Sequence, residues 1–219
     1  MDETERHQFE QLRELSKELL RPLKKVPFWL VIETLTSHRV ERFGDDPRDE
    51  QLLGALAGAA METTAATQRA RVRANRPNDV SVQIESLIKP RLEGREVTLE
   101  TLRGTGGCPD LKMRDRYGRA AFLEIKVSRT ENIDTGSPRN FFYQPTEGSK
   151  IDCPARHLIC AFAIEEVSTK RWRAVNWRIA DLWGLVVSLK PEFNADNRAL
   201  YSSDNLLATG DARAWTGTR

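Results

Sequence analysis

The chain has 219 residues, 34 of them Lys or Arg and 32 Asp or Glu, for a net charge of only +2. This length accommodates one domain with a substantial core and no covalent staples, while the near-balanced charge means that a polyanionic partner must be argued from local clustering. No apolar run is long enough to span a bilayer, and the charged start MDETERHQFEQ is not a secretory signal.

From about Glu3 to Leu20, the residues Phe9, Leu12, Leu15, Leu19 and Leu20 recur at three- and four-residue intervals, which predicts an amphipathic helix. Pro22 and Pro27 interrupt it, and Pro27 suits the first turn of a second helix over Phe28 to Val40. Trp29, Leu30, Ile32 and Leu35 are its candidates for burial. Gly44 and Asp45-Asp46-Pro47 end that helix in a loop.

A third helix is expected from about Arg48 to Arg73, with a middle, LLGALAGAAMETTAA, small enough for close packing or a subunit contact. Its basic end, Arg69, Arg71 and Arg73 followed by Arg76, has two readings. The cations complement the helix dipole, or they form a phosphate-contacting arm. Asn78-Asp79 then begin a helix with Val80, Ile84, Leu87 and Ile88 on one side and Glu85 within it, closed by Pro90 and Gly94.

A strand is expected over Glu96 to Leu102, ahead of the loop Gly104-Thr105-Gly106-Gly107. That loop lacks GKS or GKT and precedes a strand, so it is no P-loop and implies no nucleotide cofactor. Its glycines suit a bulge or a close approach of backbone to a ligand.

Two strands joined by a tight turn follow. Leu111 and Met113 alternate with Asp110, Lys112 and Arg114, and Leu123, Ile125 and Val127 alternate with Phe122, Glu124 and Lys126. Asp115-Arg116-Tyr117-Gly118 makes the turn, which completes a hairpin signature. Glu124 and Lys126 must share the face opposite Leu123, Ile125 and Val127. Folding about Tyr117 brings Asp110 opposite Glu124, to within about one residue of register. Carboxylates so placed repel each other unless a divalent cation lies between them, and Mg2+ suits such oxygen ligands. An ammonium two residues along could orient a metal-bound water, which outlines a phosphodiester-hydrolysing site.

Cys108, Cys153 and Cys160 include no CxxC pair, as free thiols in a reducing cytoplasm would have it. Cys108 is near Asp110 but has no neighbouring His in sequence to activate it, so a packing role is expected. His7, His38 and His157 show no ligand spacing, which argues against a zinc site. The residue sets of HNH and GIY-YIG nucleases are also missing.

Ser128 to Lys150 is long and polar, broken by Gly136, Pro138, Pro145 and Gly148. Its Arg129, Asn132, Arg139, Asn140, Gln144 and Lys150 are of types that read base edges or contact phosphate. The alternative is a flexible loop anchored by Phe141, Phe142 and Tyr143. Ala155 to Ile164 is nearly all apolar and predicts a central strand buried on both sides. Arg171 to Ile179 predicts another, whose Trp172 and Trp177 either stack on nucleic acid or pack beneath a helix. From about Asp204 the chain has the composition of a fraying tail.

Pro109-Asp110 followed by Glu124-Ile125-Lys126 resembles the PD-(D/E)xK nuclease superfamily, most closely its type II restriction endonucleases. The closing stretch ADLWGLVVSLKPEFNADNRALYSS bears a looser likeness to the ends of several such enzymes. The resemblance implies an α/β fold, a restriction-endonuclease-like central mixed β-sheet flanked by helices with a helical N-terminal region. It would be one nuclease domain over 1–219, comprising helices to 76, a catalytic core over 78–201 and a tail over 204–219. It also implies that Asp110, Glu124 and the Ile125 carbonyl hold Mg2+, and that Lys126 polarises the attacking water. Cleavage of double-stranded DNA would leave 5′-phosphate and 3′-hydroxyl ends. Many such nucleases carry an acid on the helix before this strand, and NDVSVQIESL assigns that place to Glu85, with Glu93 as a lesser candidate and a plain surface glutamate as the alternative, although Ser81 stands where glycine is frequent. A twofold symmetric DNA site calls for a homodimer. Two other readings remain: a repair or structure-specific nuclease of the same superfamily, and a non-catalytic DNA-binding protein in which Asp110, Glu124 and Lys126 form a surface ion-pair cluster.

Overall fold

A computed structural model describes residues 3–103, 107–132 and 149–189. The chain divides into two compact units, 1–24 with 188–219, and 25–187. The first contains helix α1 (Glu3–Leu19). Its apolar stripe differs from expectation, because Phe9, Leu12 and Leu15 are 60–63% exposed where periodicity predicted burial. Periodicity creates an apolar face but does not supply what covers it. Strands β1 (Leu23–Pro27) and β9 (Val186–Leu189) pair with each other, and the boundary between the units falls within both. The tail expected from Asp204 lies outside the described residues.

The second unit is a mixed α/β assembly. Helix α2 (Phe28–Thr36) is followed by β2 (Val40–Glu41), α3 (Asp49–Ala70), β3 (Val72–Arg73), α4 (Pro77–Glu93) and β4 (Thr98–Glu100). The hairpin strands β5 (Leu111–Arg114) and β6 (Ala120–Arg129) come next, then a short 3-10 turn at Thr130–Asn132. Strands β7 (Ala155–Ser168) and β8 (Arg171–Asp181) complete it. Among the described residues the sheet has seven strands, in the order β3-β8-β7-β6-β5-β4, with β2 added beside the start of β7. β6 and β7 run parallel, as do β2 and β7, and the other pairs are antiparallel.

Alternation along the hairpin divides its side chains between two cores. Leu111, Met113, Leu123 and Ile125 face one, against Val80, Ile84, Ile88 and Leu92 of α4 and Leu52 and Leu56 of α3. Ala120 and Phe122 face the other, with Phe28 and Ile32 of α2, Ile151 and Ala155. β7 is the central strand with both faces buried along most of its length. Trp172 also takes the packed alternative, since its ring is buried and its Nε1 donates to the carbonyl of Ala74 at 3.0 Å.

Several local boundaries differ from expectation for identifiable reasons. The second helix stops at Thr36 rather than Val40. Ser37 takes a left-handed conformation, with its N–H on the Glu33 carbonyl, and Val40 leaves to pair with Ala155. Phe28 and Ile32 are buried, whereas Leu30 and Leu35 are exposed. Pro90 lies within α4 instead of closing it; the helix continues to a last bond from Gly94 N–H to the Pro90 carbonyl. The third helix ends at Ala70, because Val72 and Arg73 pair with Trp172 and Arg171. The strand expected over Glu96 to Leu102 is confined to Thr98–Glu100.

Candidate active site

Hairpin register sets the geometry. Leu111 pairs with Leu123, so Asp110 stands across from Glu124. The Asp110 N–H donates to the Leu123 carbonyl at 3.1 Å, and the Ile125 N–H donates back to Asp110 Oδ2 at 2.7 Å. Gly118, at φ +74°, permits the turn that makes this register possible. Its N–H donates to the Asp115 carbonyl, and Asp115 Oδ1 accepts the Tyr117 and Arg119 N–H groups.

Glu124 is only 5% exposed. Its Oε1 meets Lys126 Nζ at 2.6 Å, while Oε2 is buried with no hydrogen-bond partner among the described residues. A buried carboxylate oxygen left unpaired is costly, and a cation is the natural complement to one facing a second acid. Burial is the main force raising the Asp110 pKa, and the Glu124 charge adds to it. The Ile125 hydrogen bond and the Lys126 ammonium act in the opposite sense, while the Glu85 charge reinforces the rise. Glu85 is thus near enough to be felt at Asp110, although its own Oε1 is engaged by Lys89 Nζ at 2.7 Å. Among the described residues no group of three His, Cys, Asp or Glu side chains is placed to hold a metal ion. The donor set here is smaller: two acidic side chains, whose charge, unpaired oxygen and mutual repulsion fit a hard cation.

Cys108 is buried, with its thiol beside Glu124. Burial and then the Glu124 charge push its pKa upward, which disfavours the thiolate a nucleophile requires. His157 is buried between Phe28 and Phe122, at ring-centroid distances of 5.7 and 5.1 Å, so its place is structural.

The residues expected to meet DNA are dispersed. Arg69, Arg73 and Arg76 are exposed; Arg76 lies 3.6 Å from Asp79, and Arg71 donates to Gln68. Arg73 sits on β3, at the opposite edge of the sheet from the hairpin. Arg129 lies over the Trp172 ring at 5.2 Å, and Asn132 is exposed in the 3-10 turn after β6. Arg139, Asn140 and Gln144 lie outside the described residues. Lys150 donates to the carbonyls of Gly107 and Pro109 at 2.8 and 2.9 Å. Lys112, with no role assigned from sequence, is buried between Glu100 at 2.8 Å and Asp152 at 2.9 Å. No periodicity signals such contacts, because Asp152 is 40 residues from Lys112, and Gly107 and Pro109 are 43 and 41 from Lys150.

A cavity of about 560 Å³ opens near the start of β6, lined by Arg39, Arg42, Arg114, Arg119 and Arg156 among others. Acids answer several of these cations: Arg119 meets Asp115 and Asp49, Arg156 meets Glu41 and Asp49, and Arg114 meets Glu100. That cluster ties the hairpin turn to α3 and β7. Asp110, Glu124 and Lys126 do not line the cavity.

Comparison with protein families assigns the chain to the type II restriction enzymes: residues 22–204 match the model of the "Type II restriction enzyme MjaV family". The chain belongs to the MjaV family, and it is a type II site-specific deoxyribonuclease. It is 29% identical to the type II restriction enzyme MjaV of Methanocaldococcus jannaschii over 226 aligned positions, covering 94% of this chain and 97% of that protein. No helix among the described residues is long and apolar enough to cross a membrane.

Proposed function

We propose that this restriction endonuclease is Mg2+-dependent, of the PD-(D/E)xK type, and cuts double-stranded DNA at a short specific sequence to leave 5′-phosphate and 3′-hydroxyl ends. The observation that carries this reading is the Asp110–Glu124 pair. Two acids face each other across one hairpin, one with a raised pKa and the other with an unpaired buried oxygen.

Asp110 and Glu124 would hold the cation, with the Ile125 carbonyl as a third ligand. A cation held there stabilises charge developing on the phosphate and makes water more acidic. The protein's own parts do the positioning. The Ile125 N–H fixes one Asp110 oxygen and leaves the other free to bind. Lys126, on the same face as Glu124, would donate a hydrogen bond to the oxygen of the attacking water and so orient it. The burial of Glu124 itself, at 5% exposure, keeps competing water away from its carboxylate. Glu85, on α4, adds negative charge to the same point. A homodimer would match a twofold DNA site, with Arg69, Arg71, Arg73, Arg76 and Arg129 as phosphate contacts.

The test is digestion of phage DNA with and without Mg2+, followed by sequencing of the ends. Discrete fragments with 5′-phosphates only when Mg2+ is present support the reading. Equal cutting in a chelator rejects the metal, and nicking at branched structures favours a repair-type nuclease.

A further inference from the structure

Lys150 marks the return of the chain toward the hairpin, and its ammonium is committed inside the protein. It donates to the Gly107 carbonyl at 2.8 Å and the Pro109 carbonyl at 2.9 Å, the two carbonyls flanking Cys108. Pro109 has no N–H, so its carbonyl is the only backbone hydrogen-bonding group by which that residue can be held. Two residues after Lys150, Asp152 pairs with Lys112 at 2.9 Å, and Ile151 between them is buried in the core beside Phe122. The segment 150–152 therefore runs alongside 107–112 and grips it at both ends. On the other side β6 holds Asp110 through the Leu123 carbonyl and the Ile125 N–H. Asp110 is the residue immediately after the carbonyl that Lys150 holds.

We propose that Lys150 is a positioning residue for the restriction reaction: it fixes the backbone ahead of Asp110 and so sets that carboxylate's aim toward Glu124. This rests on the reading of Asp110 and Glu124 as the cation site. A lysine that contacts DNA and a lysine that aims Asp110 differ in what their loss changes. Removing a phosphate contact weakens DNA binding and lowers its salt dependence by about one unit of slope. Removing a strut leaves both intact and impairs metal loading and turnover.

The experiment compares the wild-type chain with Lys150→Met, Lys150→Arg and Asp110→Asn. It measures DNA affinity at several salt concentrations without metal, kcat and KM, the Mg2+ concentration for half-maximal rate, and the Mg2+-induced rise in melting temperature without DNA. For Lys150→Met the expected result is a kcat about tenfold lower and a half-saturating Mg2+ about tenfold higher, with DNA affinity and salt slope unchanged; each tenfold factor is 1.4 kcal/mol. Lys150→Arg, which keeps charged donors, should recover part of both losses. A wild-type Mg2+ response in Lys150→Met overturns the proposal, as does weaker DNA binding with a shallower salt slope. Should Lys150→Met fail to fold, Lys150→Gln carries the test with the same criteria. The Asp110→Asn arm separates the two levels. If it keeps wild-type cleavage and Mg2+ stabilisation, the cation-site reading itself fails. If it loses both while Lys150→Met behaves as wild type, only the role of Lys150 is rejected.

Discussion

Asp110 and Glu124 face each other across the hairpin one step beyond the Leu111–Leu123 pair, and the Ile125 N–H reaches over to the Asp110 carboxylate at 2.7 Å. In Asp110→Asn the side-chain oxygen can still accept that N–H, so the variant should fold with its DNA affinity largely intact. Cleavage should fall about 10³-fold, equivalent to about 4 kcal/mol of lost transition-state stabilisation. Parallel gel-shift and digestion assays check both statements, and undiminished cutting would remove Asp110 from the site.

Lys126 contacts Glu124 Oε1 at 2.6 Å and is partly exposed, so it can reach a solvent-side reactant. Lys126→Met keeps the stem and removes the ammonium. A loss of about 10²–10⁴ in kcat with little change in KM is expected, the scale of proton-transfer assistance by a positioned group. Single-turnover kinetics measures it, and a KM effect alone would mark Lys126 as a binding residue.

Thermal melting gives a metal test independent of cleavage. Burial and the Glu124 charge raise the Asp110 pKa, so the ionised acid is disfavoured in the folded protein without metal. This penalty is absent below the unfolded pKa and grows as pH rises above it. Asp110→Asn should therefore melt no lower than wild type in chelator at neutral pH. Mg2+ at ten times its Kd should stabilise wild type by about 1.4 kcal/mol and leave the variant unchanged.

His157 predicts an acid-side loss of stability. Burial lowers its pKa from 6.5 to about 4, so the neutral ring is the folded form. Between these values the unfolded chain binds the extra proton, and stability must fall as pH falls. The contribution is fully present above pH 6.5 and declines to a total loss of about 3 kcal/mol near pH 4. Urea unfolding of wild type and His157→Leu across this window checks it, since the variant should lack that part of the slope.

Asp49 should matter to stability, with no chemical role. It is buried, meets Arg119 at 2.8 Å and Arg156 at 2.7 Å, and accepts the Gly44 N–H at 2.8 Å. Asp49→Ala leaves two largely buried guanidinium groups short of a partner and should cost about 3–5 kcal/mol. Denaturant unfolding measures the loss; a change under 1 kcal/mol would show that water or neighbouring acids replace it.

What the amino-acid order determined alone was the part governed by short-range rules. Period-two alternation, a turn closed by Gly118 and a fixed pleat are enough to put Asp110 opposite Glu124 and Lys126 beside it, because every step spans at most about fifteen residues. The apolar run of β7 was equally legible, since a strand buried on both faces needs no polar alternation. Tertiary structure alone decided which apolar stripes find a cover, leaving Phe9, Leu12 and Leu15 exposed while Ile32 is sealed. It also decided where Lys112, Lys150, Arg119 and Arg156 direct their charge. Most of those contacts join residues that are distant in the chain, and a long cationic side chain carries no local signal of whether it will meet DNA, a carboxylate or a backbone carbonyl until the fold has brought one of them within reach.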